Sequence, residues 1–261
     1  MNNNQSPVKE NSIYGSKWNN IHNGYFSDPF VAQPFIEAIQ QAIALSHPTV
    51  VADLGGGTGF ILKELLKLKE LSKIRMINVD VSTLQLSECT DKRITLLQAS
   101  VDQITREQLQ TNKTPLLLFA RSLLHYFGDF GLKPLLSHIR KTLEKGELFV
   151  HQTACFENKE DAECLNLIYY LMGTSKWYST LNNLKSILSE CGFSIYDLHP
   201  ATKLQLKSND LALRYHLNTQ QNIFIRTEIE KVYDQKAEVF ISSSNDFTAW
   251  LHYFIFSCKA N

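Results

Sequence analysis

Val50-Val51-Ala52-Asp53-Leu54-Gly55-Gly56-Gly57-Thr58-Gly59-Phe60 decides how the rest of this chain reads. A β-branched run carries an acid near its end, and four glycines follow within five residues. An apolar pattern of helical period comes next, with Ile61, Leu62, Leu65, Leu66 and Leu68. Strand, tight turn and helix in that order make a place where a nucleotide lies against main chain. Gly55, Gly57 and Gly59 accept positive φ and let a ligand approach without a Cβ in the way.

The spacing narrows the ligand. A dinucleotide fingerprint needs G-x-G-x-x-G, whose last glycine packs the helix on the strand. Counted from Gly55 that position is Phe60, and counted from Gly57 it is Leu62. A phosphate-cradling P-loop needs Gly-Lys-Ser/Thr after the turn, and no lysine stands there. What remains is Asp-x-Gly-x-Gly-x-Gly. A carboxylate inside the strand end repels phosphate and suits a cationic or hydrogen-bond-donating ligand.

Composition sets the outer limits. The 261 residues favour one domain with insertions over two domains. With 44% apolar and 20% charged residues the chain is an ordinary globular one, so no metal or disulfide is needed for stability. Lys plus Arg and Asp plus Glu are equal at 26 each, which argues against a basic face for long nucleic acid. Cys89, Cys155, Cys164, Cys191 and Cys258 are scattered and form no C-x-x-C pair, so neither structural zinc nor a disulfide framework is expected. An Asn-rich start without a basic-then-apolar run, and no apolar stretch of 18 residues, predict a cytoplasmic protein with no membrane span.

Along the chain, residues 1–27 read as a partly disordered leader in which Tyr14, Trp18, Tyr25 and Phe26 lie over something apolar. Asp28-Pro29 starts a helix as N-cap and first-turn proline, and Pro48 ends it. Residues 28–261 read as one domain: a core at 48–155, a helical insertion at 156–178, and a C-terminal part at 179–261 with a second helical insertion at about 200–242. Ile74 to Val79 is the second strand and ends in Asp80, 21 residues after Gly59. An acid at that distance is placed to accept from both ribose hydroxyls. Ile94–Gln98 is a third strand, followed by Ser100 and Val101-Asp102. Pro115–Phe119, nearly all apolar, is a fourth strand buried on both faces. Its C-terminal end, from Ala120-Arg121-Ser122 to His125-Tyr126-Phe127, belongs at the crevice mouth of an open α/β sheet. Leu148–His151 is a fifth strand, Phe193–Leu198 another, and Phe247–Ser257 a long aromatic last one. Tyr169, Trp177 and Tyr178 are candidates to roof a pocket.

The Asp-Leu-Gly-Gly-Gly-Thr-Gly loop with Asp80 resembles the nucleotide loop of the class I S-adenosylmethionine-dependent methyltransferases. The resemblance covers residues 50–155 well and 180–200 loosely. It implies a Rossmann-like α/β fold: a seven-stranded, mostly parallel twisted sheet with helices on both faces, an antiparallel last strand and a helical cap. It also implies S-adenosyl-L-methionine as cofactor. Asp53 would hold the methionine end, Gly55, Gly56, Gly57 and Gly59 the main-chain cradle, and Asp80 the ribose. Ser100 and Val101 stand where many members have an acid near the adenine, and Arg121 and Ser122 complete the expected set. In such enzymes an N-terminal segment often closes over the cofactor, so Tyr14 or Tyr25 could touch it or merely pack in the core. Ser122 to Asp129 resembles a stretch of small-molecule O-methyltransferases whose histidine is the base, which makes His125 a candidate base for a small-molecule acceptor. A packing role for His125 stays open, as do an NAD(P)-binding oxidoreductase, a non-catalytic cofactor-binding protein, and a methyltransferase acting on RNA or protein. No metal is expected, and the oligomeric state is open.

Overall fold

The computed structural model describes residues 22, 24–109, 114–233, 236–244 and 246–261. Tyr14 and Trp18 lie outside them. Five strands run parallel: β1 (Val50–Leu54), β2 (Arg75–Asp80), β3 (Ile94–Gln98), β4 (Leu116–Arg121) and β5 (Leu148–Ala154). Beyond β5 lies β8 (Phe247–Ala260), antiparallel, and then β6 (Phe193–Lys207), antiparallel to β8. The order is β3-β2-β1-β4-β5-β8-β6, and a short β7 (Phe240–Ser242) pairs with β8. The expected seven-strand sheet is therefore present, with β7 as an eighth strand among the described residues.

Strands β1, β4 and β5 are buried along their whole length or all but one residue, which is why they read as apolar runs. Alternate residues face two helical layers. Val50, Ala52, Leu54, Leu116 and Leu118 pack with α5 (Gly128–Thr142) and α7 (Leu181–Glu190). Val51, Met76, Leu117 and Phe119 pack with α1 (Pro29–Ser46) and α2 (Phe60–Leu65). Helix α1 starts as its sequence dictates: Asp28 accepts the Phe30 N–H at 2.8 Å and Pro29 fills the first position. Between β2 and β3 stands the one-turn α3 (Thr83–Ser87), capped by Ser82, and before β4 the short α4 (Arg106–Leu109).

The C-terminal part departs from the expected helical insertion at both its ends, where β7 occupies Phe240–Ser242 and β6 runs on to Lys207. Residues 200–207 are not helical but continue β6, with Leu204 and Leu206 inward and Lys203, Gln205 and Lys207 outward. Register shifts between Ile195 and Asp197 and between Ala201 and Leu204 bend the strand, so β6 and β8 overrun the end of β5. Their overhang carries a third core with α6 (Lys159–Leu171), α8 (Ser208–Tyr215) and α9 (Thr219–Tyr233). This small lobe stands past the C-terminal ends of the parallel strands. Among the described residues no helix is long and apolar enough to cross a membrane, and the five cysteines are free.

Candidate functional site

The strand order reverses between β1 and β4, and in open α/β sheets ligands sit in the crevice at such a switch point. A cleft of about 970 Å³, counting space open to solvent, lies there. The residues from Asp53 to Ile61 except Leu54 and Gly59 form one wall, with Asp80, Val81 and Gln85. Ala99, Ser100 and Val101 follow β3. Arg121, Ser122, Leu123, Tyr126 and Phe127 follow β4, and Phe26 closes the side.

The glycine loop is held by β2. Gly55 and Gly56 N–H groups donate to the Val79 carbonyl at 2.8 and 3.2 Å. The Gly57 N–H donates to Asp80 Oδ2 at 2.9 Å, and Asn78 Nδ2 donates to the Gly57 carbonyl at 2.9 Å. Gly55, Gly57 and Gly59 have φ of 71, 55 and 73°, as the loop's turns require. Gly56 has a different reason to be glycine: a Cβ there would stand 2.3 Å from Asn78 Oδ1 and 2.5 Å from the Asp53 carboxyl.

Asp80 Oδ1 also accepts the Ser82 N–H at 2.8 Å, so each of its oxygens takes one backbone donor and keeps a lone pair. Burial raises its pKa, and the N–H groups of Ser82, Gly57 and Val81 oppose the rise. Asp53 is 2% exposed and accepts no hydrogen bond among the described residues. Burial first, and the Asp80 charge second, push its pKa well above the ordinary carboxylate value, while Arg121 pulls it down.

Across the cleft, Arg121 donates to Gln152 Oε1 at 3.1 Å and to the carbonyls of Phe26 and Tyr25 at 3.1 and 3.5 Å. Its guanidinium also sits 5.6 Å from the centroids of both those rings. No carboxylate reaches ion-pair distance of it among the described residues. The buried guanidinium thus ties the residues before α1 onto the cleft. Ser122 sits at φ 57°, a backbone that costs a non-glycine residue about 1–3 kcal/mol, and its Oγ shares a hydrogen bond of 2.8 Å with Tyr253 Oη.

Of the residues picked from sequence, Asp53, Gly55, Gly56, Gly57, Asp80, Ser100, Val101, Arg121 and Ser122 line this one cleft. Gly59 lies behind it as the N-cap of α2. Ser100 turns its hydroxyl to the Asp102 carboxylate. His125 is buried beside the cleft rather than in its wall, stacked on Tyr178 at 5.3 Å, with Nδ1 unpartnered among the described residues. Burial and the Lys176 charge hold its pKa well below the usual histidine value. Tyr25 packs on Tyr253 in the third core, and Tyr169 and Tyr178 are core too, so the aromatic lining comes from Phe26, Phe60, Tyr126 and Phe127 instead. Gln85 and Asn78 escaped the sequence reading. Asn78 alternates with Met76 on β2 and looks like one more strand residue until the register sets it beside Asp53.

No family model and no curated protein matches the sequence. Solved structures do match in fold. A protein of Bacillus halodurans C-125 to which methyltransferase activity has been ascribed aligns with a TM-score of 0.66 at 13% identity, over 87% of this chain and 98% of its own. An S-adenosylmethionine-dependent methyltransferase from Mesorhizobium loti aligns at 0.53 and 17% identity, over 88% and 97%. A phosphoethanolamine N-methyltransferase of Haemonchus contortus, solved with phosphomonomethylethanolamine and S-adenosylhomocysteine, aligns at 0.52 and 12%, over 93% of this chain and 58% of its own. At these identities the likeness establishes the Rossmann-like α/β fold of the class I methyltransferases.

Proposed function

We propose that this chain is an S-adenosylmethionine-dependent methyltransferase acting on a small molecule. One observation carries the reading: a buried carboxylate with no hydrogen-bond donor, Asp53, and a buried guanidinium with no carboxylate, Arg121, both border one cleft. Opposite charges without an ion-pair partner suit a zwitterionic amino-acid group. Asp53 would take the ammonium and Arg121 the carboxylate of the methionyl part. The free lone pairs of Asp80 suit a ribose diol, with hydrogen bonds to a charged acceptor contributing about 1.5–3 kcal/mol. Val81, Ala99, Val101 and Leu123 offer an apolar slot for the base, and Ser100 its polar edge. A nicotinamide dinucleotide, by contrast, is disfavoured because the loop lacks the third glycine of the dinucleotide fingerprint, Phe60 or Leu62 standing in its place.

When bound, the cofactor supplies an activated methyl group on a sulfonium. The protein's own part is to hold the acceptor in line with it and to keep water out. Phe26, Tyr126 and Phe127 form the apolar side on which a small acceptor would lie. For an oxygen acceptor, His125 is the candidate base. Burial and the Lys176 charge keep the ring neutral, its buried Nδ1 has no partner among the described residues, and the next residue, Tyr126, lines the cleft. We read residues 28–261 as one domain, with the lobe on the β6–β8 overhang as its cap. Incubation with methyl-labelled cofactor and a panel of small hydroxy, amino and thiol acceptors tests the proposal. Transfer to at least one supports it, and binding of nicotinamide dinucleotide in place of the cofactor overturns it.

A further inference from the structure

Asp53 and Asn78 are register partners on β1 and β2, and their side chains share one sheet face. Asp53 Oδ2 and Asn78 Oδ1 lie 2.5 and 2.3 Å from the same point, the place where a Gly56 Cβ would stand. Asn78 is fully buried, and its Oδ1 has no partner. Turning the amide over would set Oδ1 against the Gly57 carbonyl, acceptor against acceptor, so the bond from Nδ2 to that carbonyl fixes which way it points. Asn78 Oδ1 is thus a buried acceptor without a donor, and Asp53 Oδ2, an acceptor at the floor of the cleft, flanks the same point. Leaving a buried acceptor such as Asn78 Oδ1 unsatisfied costs about 1–3 kcal/mol, and a proton carried on Asp53 Oδ2 is the donor the surroundings can offer it.

We infer that, before any ligand enters, Asp53 is a neutral carboxylic acid donating its proton to Asn78 Oδ1, and that a cationic ligand group displaces this proton to solvent. Asn78 is then a positioning residue, setting the orientation of Asp53 and holding its proton. Three other titratable or charged groups face Asp53: Asp80 from β2, Arg121 from the end of β4, and Cys89 after α3. Burial and Asp80 favour the protonated form, and Arg121 opposes it. On displacement the Asp53 O–H bond breaks, the proton goes to water, and the carboxylate accepts an N–H from the ligand ammonium. The inference rests on the cofactor reading above.

The test is calorimetric titration of the full chain with S-adenosylhomocysteine at pH 7, in two buffers of different ionisation enthalpy. Wild type is expected to release close to one proton per ligand. Its dissociation constant should rise towards tenfold per pH unit on acidification, because binding must then expel the proton. In Asp53→Asn the amide donates permanently to Asn78, so binding should weaken, release no proton and lose its pH dependence. Difference infrared spectra of wild type against Asp53→Asn, without ligand, should show a protonated-carboxyl band that S-adenosylhomocysteine removes. Binding without proton release, or no such band, overturns the inference and leaves the cofactor reading standing. No binding to wild type overturns both.

Discussion

Gly56→Ala isolates the close packing on which the cleft depends. Gly56 does not need a left-handed φ, so alanine meets no backbone strain there. Its Cβ would instead stand 2.3 Å from Asn78 Oδ1 and 2.5 Å from Asp53 Cγ and Oδ2, where real Cβ contacts do not fall below 3.0 Å. Neither neighbour is the free end of a long chain, because both are short side chains on strands of the central sheet. Overpacking of this kind costs about 1–3 kcal/mol. In a chain of this size each kcal/mol lowers Tm by roughly 2–4 °C. A displaced Asp53 would also forfeit a charged hydrogen bond to the ligand, about 1.5–3 kcal/mol, or about ten- to 150-fold in Kd. Gly173→Ala is the control. Its φ of 74° strains alanine, but nothing lies within 4 Å of the added Cβ. It should lose about 1–2 kcal/mol of stability and no affinity. Thermal denaturation and titration with S-adenosylhomocysteine read both effects. Wild-type affinity in Gly56→Ala, or equal affinity loss in Gly173→Ala, refutes the reasoning.

Asp80→Asn turns an amide nitrogen towards one of two backbone donors, Gly57 N–H or Ser82 N–H. It should lower Tm and weaken S-adenosylhomocysteine about 30-fold, roughly 2 kcal/mol, while an unchanged Kd contradicts the ribose assignment. Because the folded-state pKa of Asp53 is raised, its contribution to stability is intact below the unfolded value near 4 and is lost as pH rises through the folded value. A Tm series should therefore show Asp53→Asn gaining on wild type as pH increases, and a gain largest at acid pH contradicts the burial argument. His125→Gln should leave S-adenosylhomocysteine affinity within about twofold yet abolish labelled methyl transfer to an oxygen acceptor, and full activity removes the base role.

What sequence made legible was local. The glycine loop, the acid inside β1 and the acid at the end of β2 announce themselves because turn geometry and strand ends act over a few residues. The apolar runs of β1 and β4 gave the parallel sheet for the same reason. Asn78 and Gln85 did not stand out, because their roles arise only when register and the α3 turn bring them against Gly56 and Gly57. The second half of β6 was hidden for a related reason. Leu204 and Leu206 alternate over too few residues to outweigh the helical pattern that follows, and their pairing with β8 lies some 45 residues away along the chain. Phe26 is held at the cleft by a bond from Arg121 to its carbonyl, a contact spanning 95 residues of sequence.

Parallel titrations of the full chain with S-adenosylhomocysteine and with NADH test the central claim most directly. Saturable one-to-one binding of the thioether nucleoside, weakened by Asp80→Asn, with no heat from the dinucleotide, is the expected result. Saturable binding of NADH with none of S-adenosylhomocysteine would contradict it.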